Sequence, residues 1–347
     1  MAERNPPYRV IQWATGNVGS RAMRMVIEHP DLELVGLWVS SAEKVGRDAG
    51  EFAGTAATGI KATNSAEDLI ATDADCVLYM RKGTDYTELA RLLASGKNVV
   101  TTTGDFHHVA SVPQAHREQI EQACRDGGTS LYDTGSSPGF VTEALPIVLL
   151  SISRRLDCLT IDEYGDVSSR NSPDMLFNVM GYGRPSCEFD QHRAEHLKAH
   201  FATSLSQLAE AHGIAIERWE AFGEYSPATN RTTIAAGTIE AGHTAAQRIT
   251  IQGVRAGKPV LRIRLNWYCT REIGHADWDL RESGWRIRIE GDTPLDVSIT
   301  YPVAPEDYAA FTPGLTAHRP VNAIASVIRA EPGIRTTVDL PQVIARL

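Results

Sequence analysis

The feature that most constrains this chain is its opening. An apolar run, Tyr8-Arg9-Val10-Ile11-Gln12-Trp13, breaks at Ala14-Thr15-Gly16-Asn17-Val18-Gly19 and passes directly into helical spacing. Val18, Ala22, Met25, Val26 and His29 recur on one helical face, and Pro30 marks the stop, so the sequence predicts a strand over 8–13 and a helix over 20–29. The alternation continues, with strands predicted at 33–40, 59–63, 75–80, 98–103 and 130–133. Helices are predicted between them: 65–71 behind a Ser65 cap, 84–95 ending at Gly96, and one from Ser111 and Pro113 to Gly127-Gly128. Strands and helices alternating at this spacing require right-handed crossovers and hence a doubly wound parallel sheet of Rossmann type.

After Gly135 the alternation stops. Ser137-Pro138-Gly139-Phe140 introduces a helix over 141–151, followed by a strand at 156–167 and a long helix at 188–212. Strands are then expected at 232–239, 245–254, 259–269 and 284–290. Arg262-Ile263-Arg264-Leu265 and Trp285-Arg286-Ile287-Arg288-Ile289 alternate polar and apolar, the pattern of a half-exposed antiparallel sheet. His318-Arg319-Pro320-Val321-Asn322 opens a final helix to Ala330. The 347 residues exceed one ordinary core. The expectation is an α/β chain with a dinucleotide-binding Rossmann domain (1–135 plus 318–347) and a second α+β domain (136–317). That second domain, built on a mostly antiparallel sheet, would serve substrate and dimerisation.

A dinucleotide site wants Gly-x-Gly-x-x-Gly at the first strand-to-helix turn; this chain has Ala14-x-Gly16-x-x-Gly19. The alanine predicts an opening bend without positive φ. Gly16 and Gly19 retain the backbone approach and the close helix–strand contact, and the amides of Asn17 and Val18 would face a diphosphate at the positive end of the helix. An acid at the end of the second strand would bind the ribose hydroxyls of NAD. Here Ser40 and Ser41 stand there, with Lys44 and Arg47 close behind, a set that suits the 2′-phosphate of NADP; Glu43 keeps NAD in play.

A net charge of −9 and no basic cluster with interleaved aromatics argue against nucleic acid. The polar N-terminus lacks a signal pattern, and no stretch is apolar enough to span a membrane. Cys76, Cys124, Cys158, Cys187 and Cys269 are scattered without Cys-x-x-Cys, which reads as free thiols in a reducing cytoplasm. His192, Glu195, His196 and His200 share a helical face in a His-x-x-Glu-His pattern, but a zinc peptidase would leave the glycine turn idle, so no metal is expected.

Trp13 to Gly19, Val45-Gly46-Arg47-Asp48-Ala49-Gly50, Ser137 to Phe140 and His318 to Asn322 together resemble a family of actinobacterial proteins with a dihydrodipicolinate reductase-type N-terminal domain. Its relatives include 2,4-diaminopentanoate dehydrogenase and native amine dehydrogenases. The resemblance implies NAD(P)-dependent hydride transfer at an amine, imine or carbonyl carbon of a small molecule, in a homodimer. It also implies a turn near the nicotinamide at Thr101-Thr102-Thr103-Gly104, so Thr102 joins the cofactor candidates, and a catalytic carboxylate in the loop after the fifth strand. Asp105 is the nearest match, an aspartate where those enzymes carry glutamate. The histidine pair, lysine and Asp-Ala-Pro-Ser-Gly-Thr of dihydrodipicolinate reductase itself are absent, which excludes that activity.

Ligands of open α/β sheets sit at the carboxyl ends of the strands, which puts 79–82, 101–108 and 134–140 around the nicotinamide. Reduction of a ketone wants an acid or cation near oxygen, whereas an iminium wants a carboxylate. The chain has six lysines and no Tyr-x-x-x-Lys pair, but offers Asp105 and Glu143. Asp105 reads as either the catalytic carboxylate or a turn residue, and Glu143 as either catalytic or a helix-dipole partner. His107 and His108 read as proton carriers or caps, and Tyr164 as a donor to substrate or a core tyrosine. A simple carbonyl reductase and a non-catalytic dinucleotide sensor remain as alternatives.

Overall fold

The computed structural model describes residues 7–185 and 188–346; the polar residues 1–6 and Cys187 lie outside them. In chain order the elements begin β1 (Tyr8–Trp13), α1 (Asn17–Glu28), β2 (Leu32–Trp38), α2 (Ala49–Ala53), β3 (Ala62–Thr63), α3 (Ala66–Ala71), β4 (Cys76–Tyr79) and α4 (Tyr86–Ala94). Next come β5 (Asn98–Thr101), α5 (Gln114–Gly127), β6 (Ser130–Asp133), α6 (Leu145–Leu150), β7 (Leu156–Asp166), α7 (Gln191–Ala211) and β8 (Arg218–Pro227). The series ends with β9 (Thr232–Ile234), β10 (Gly237–Ile239), β11 (Thr244–Arg255), β12 (Lys258–Tyr268), β13 (Gly284–Gly291), β14 (Leu295–Thr300), α8 (Tyr308–Ile328) and β15 (Gly333–Arg335). The chain divides into two compact units, Met1–Phe140 with Thr312–Leu347, and Val141–Phe311.

The first unit is a doubly wound α/β layer. Its sheet runs β15-β6-β5-β4-β1-β2-β3, every pair parallel. One face buries Ala22, Met23 and Val26 of α1 with Ala317, Val321, Ile324 and Val327 of α8. The other buries Leu69 of α3, Leu89, Leu92 and Leu93 of α4, and Ile120 and Cys124 of α5. Because β1 sits centrally, beside β4 and β2, its carboxyl end is the topological switch point.

Helix α8 begins ten residues before the predicted start and runs through Pro313 and Pro320. An interior proline removes a hydrogen bond and costs about 3 kcal/mol. Here that loss is offset by the buried face of Ala317, Val321, Ile324 and Val327, at roughly 1.5–3 kcal/mol for each large side chain. The short parallel strand β15 gave no signal in the sequence, being three residues long.

The second unit carries a six-stranded sheet, β14-β13-β7-β12-β11-β8, antiparallel except where β7 and β12 run parallel. Helix α7 lies on β8, β11 and β12, burying Ala194, Phe201, Leu205 and Leu208. On the other face Asp162 is fully buried and paired with both Arg264 and Arg288. The sequence did not reveal β8, most of whose residues are exposed or half-buried, or the edge strand β14, and the expected strand over 232–239 is instead the hairpin β9–β10. The helix expected over 141–151 is shorter and kinked, with non-helical backbone at Ser137, Pro138 and Gly139 before α6.

Candidate functional site

Gly16 caps α1 in extended conformation, and among the described residues no side-chain cap hydrogen bond closes that first turn. A Cβ built on Gly19 would lie 2.3 Å from the Ala14 carbonyl oxygen, so the fold itself excludes a side chain there. A Cβ on Gly16 would meet nothing within 4 Å, and its φ of −70° suits any residue. The space beside Gly16 is thus open, next to first-turn amides at the positive end of a twelve-residue helix, which fits a diphosphate.

The opening bend departs from expectation. Ala14 has φ +79°, in the left-handed region, at a cost of about 1–2 kcal/mol for a residue with a Cβ. The bend is fixed from both sides. The Ala14 N–H donates to the Trp38 carbonyl at 2.9 Å, and its own carbonyl accepts from the buried Gln12 amide at 3.0 Å. The path from β1 into α1 demands this conformation whichever residue occupies it.

Past β2, Ser40 is exposed and Ser41 precedes a short 3-10 turn, Ala42–Lys44. Lys44 Nζ donates to Thr15 Oγ1 at 3.2 Å, which brings its cation to the glycine turn. Arg47 pairs with Glu51 at 3.0 Å and lies over the Phe52 ring. The conspicuous Gly-Arg-Asp-Ala-Gly string is structural. Asp48 is buried and accepts from the Gly50, Thr58 and Gly59 amides and the Thr58 hydroxyl, forming a capping box with Glu51. These bonds, the Thr58 amide first, hold its carboxyl well below the usual range.

Beyond the switch point, Thr101 Oγ1 donates to the Tyr79 carbonyl, leaving the half-buried Thr102 at the head of the β5 loop. Asp105 is partly buried in that loop and accepts from the Thr84 hydroxyl of the β4 loop. Burial, and then the Asp105 and Asp133 carboxylates, push the Tyr86 phenol up. Asp133, ending β6, accepts from the Phe106 amide at 3.0 Å and lies 4.0 Å from His107 Nε2. His107 is buried beneath the loop, while His108 Nδ1 meets Ser111 Oγ at 2.6 Å just before a short 3-10 turn. The 134–140 segment is anchored to α8 by Arg319, which donates to Thr134 Oγ1 at 3.0 Å, and by a 2.8 Å bond between Ser136 and Thr316.

Two candidates belong to the second unit. Glu143 is buried and accepts from Ser204 of α7 at 2.6 Å, with Thr142 on the same hydroxyl. Tyr164, on β7, is buried with its phenol pushed up by that burial. His192, His196 and His200 are exposed along α7, and no group of three or more potential ligands is arranged for a metal among the described residues. A cavity of about 1420 Å³ in the first unit is lined by Tyr8, Asn98, Asn322 and Arg329 at the amino-terminal edge of the sheet. It lies opposite the edge where such sheets bind ligands.

The sequence reading missed an aromatic row. Trp13, Trp38 and Tyr79 end β1, β2 and β4 in register, and Trp13 and Trp38 stack at 5.0 Å. Only cross-strand register reveals it, since the three residues lie far apart in the chain.

Comparison with known proteins bears on this arrangement. The dihydrodipicolinate reductase N-terminus model matches residues 10–129, and the 2,4-diaminopentanoate dehydrogenase C-terminal domain model matches residues 140–347, more than half of the chain. The chain belongs to the 2,4-diaminopentanoate dehydrogenase C-terminal domain family. Over 95% of both chains this family member is 28% identical to a Streptomyces virginiae protein named amine dehydrogenase. A shorter stretch, 20% of this chain and 26% of the relative, is 45% identical to 4-hydroxy-tetrahydrodipicolinate reductase of Methanopyrus kandleri. Among solved structures, an amine dehydrogenase from Mycobacterium smegmatis superimposes with a TM-score of 0.75 at 21% identity, covering 98% of this chain and 97% of its own. A probable dehydrogenase from Thermotoga maritima gives 0.58 at 13% identity, covering 95% and 92%. The family member is an oxidoreductase dependent on a nicotinamide cofactor.

Proposed function

We propose that this oxidoreductase works at an amine or imine carbon, with NADP preferred over NAD. The cofactor, when bound, supplies or accepts the hydride. The open first turn of α1, with nothing opposing a substituent on Gly16, carries the reading: it gives a diphosphate both space and donors. Lys44, drawn to that turn through Thr15, and Ser40 and Ser41 form the part of the site that suits a 2′-phosphate. Among the described residues no carboxylate is bonded to Lys44, which donates to Thr15, while Arg47 is shared with Glu51.

In this reading Asp105 is the carboxylate that stabilises the iminium formed as hydride leaves an amine or as ammonia condenses with a carbonyl. The Thr84 hydroxyl holds it in orientation. His107 acts through Asp133 as a positioning residue of the same loop. Glu143 and Tyr164 are assigned to the framework of the second unit, which holds substrate and the contact of a homodimer. The kinship with the Streptomyces virginiae amine dehydrogenase supports amine over simple carbonyl chemistry.

The test is a panel of ketones and aldehydes with NADPH or NADH, with and without ammonia. Turnover that requires ammonia is expected, with Asp105→Asn lowering kcat about 100-fold while cofactor affinity holds. Equal turnover without ammonia would sink the amine reading, and an unaffected Asp105→Asn would remove Asp105 from the chemistry.

A further inference from the structure

Two consecutive residues of β7 carry carboxylates to opposite faces of the second sheet, and the fold treats them differently. Asp162 is buried against two guanidinium groups, Arg264 and Arg288, which offset its charge. Glu163 has no such partner. Its Oε1 accepts from Trp267 Nε1 at 3.2 Å and its Oε2 from Trp285 Nε1 at 3.1 Å. Both donors are neutral, and among the described residues no cation pairs with this half-buried carboxylate. In register, Leu265 of β12 and Trp285 of β13 stand opposite it, so the neighbouring strands supply no countercharge.

The surroundings are aromatic. Gly165 makes room for the Trp267 ring, since a Cβ there would lie 2.9 Å from its Cδ1. Trp285 meets Tyr301 edge-on at 5.6 Å, and Tyr301 stands 5.1 Å from Phe311. Trp267, Tyr301 and Phe311 keep part of their surface in solvent. Burial pushes the Tyr301 and Tyr308 phenols up, and the Glu163 carboxylate adds to both shifts. A partly dehydrated negative charge, bonded by neutral donors alone and set among aromatic rings, attracts a cation. The two indoles orient its oxygens and leave each a free lone pair, which favours a cation that also donates hydrogen bonds. We propose that Glu163 binds a primary ammonium group of the substrate, with Trp285 and Tyr301 as walls of that site, and so selects which molecules the enzyme accepts. This rests on the amine reading; Asp105 remains the carboxylate at the reacting carbon.

The test is a titration of the full chain with n-butylammonium, n-butanol and butyrate, followed by tryptophan fluorescence and calorimetry. Thermal unfolding confirms that each variant is folded. Butylammonium should bind and change tryptophan emission, with butanol and butyrate weaker by about tenfold or more. Glu163→Gln, which keeps the shape and removes the charge, should weaken butylammonium by about tenfold or more while leaving butanol, NAD and NADP unchanged. In amine oxidation the same variant should raise KM about tenfold with kcat preserved. Tyr301→Leu should weaken butylammonium several-fold. Unchanged affinity in Glu163→Gln overturns the ammonium site, as does wild-type binding of butanol as tight as that of butylammonium. Should Glu163→Gln fail to fold, unchanged affinity in Tyr301→Leu has the same force. Butylammonium binding that depends on Glu163, beside no ammonia-dependent turnover, upholds the site while the amine reading falls. Ammonia-dependent turnover in a wild type that does not bind butylammonium keeps that reading and removes the site.

Discussion

At the scale of single residues, the two glycines of the first turn answer to different causes. Gly19 is required by the protein, since its Cβ would lie 2.3 Å from a backbone oxygen that cannot move without disturbing β1. Gly16 is required by nothing in the protein, because its backbone is ordinary and its Cβ would enter open space. The two substitutions should therefore separate. Gly19→Ala is expected to lower stability by about 1–3 kcal/mol in chemical denaturation, as overpacking does. Gly16→Ala is expected to leave the denaturation midpoint within about 0.5 kcal/mol of wild type while weakening dinucleotide binding at least tenfold by titration. Should Gly16→Ala bind cofactor normally, the diphosphate does not rest there. Ala14 makes the converse point: a residue type does not report a backbone angle when a hydrogen bond to the Trp38 carbonyl and one from the Gln12 amide impose it.

At the scale of elements, the helix α2 and the loop that follows depend on one carboxylate. Asp48 gathers three amides and a hydroxyl, and these hold its carboxyl well below the usual carboxylate range. A carboxyl depressed in the folded state contributes stability that is fully present above the unfolded value and is lost as pH falls toward the folded one. Acid titration of wild-type stability should therefore show a loss below about pH 4 that Asp48→Asn lacks, with the variant already less stable at pH 7. Equal pH dependence below pH 4 in the two proteins would show that the carboxyl is not bonded this way. The element also explains a legible string with a hidden meaning. Gly-Arg-Asp-Ala-Gly was visible in the sequence, but that its Asp48 ties the cap of a helix to the next loop depended on Thr58 and Gly59, ten and eleven residues on.

At the scale of the whole molecule, the first unit is assembled from two stretches of chain, 1–140 and 312–347. The second stretch brings α8 and β15, whose Val321, Ile324, Val327 and Ile334 enter the two core layers. Burial of four such side chains is worth roughly 6–12 kcal/mol, comparable to the whole stability of a domain. Truncation after residue 311 should thus abolish ADP binding and cooperative unfolding of the first unit although the glycine turn is intact, as calorimetry and far-ultraviolet circular dichroism would register. A truncated chain that still bound ADP tightly would show that residues 1–140 suffice. Helix α8 shows why sequence alone placed this boundary late: Pro313 and Pro320 argue locally for a stop, and only the core beside α1 outweighs them.

What the sequence determined by itself follows from period and local chemistry. The alternation of apolar runs with helical spacing settled the parallel layer, the alternating strands marked the second sheet apart from β8 and β14, and the two glycines marked where a diphosphate is proposed to lie. Those signals act over a few residues and survive in any one-dimensional reading. The tertiary structure decided what depends on neighbours distant in the chain: the left-handed bend at Ala14, the aromatic row of Trp13, Trp38 and Tyr79, the clasp of Thr84 on Asp105, and the burial of His107 against Asp133. Each of these is a contact between the ends of different strands, and only the register of the sheet, fixed by burial on both its faces, brings those ends together.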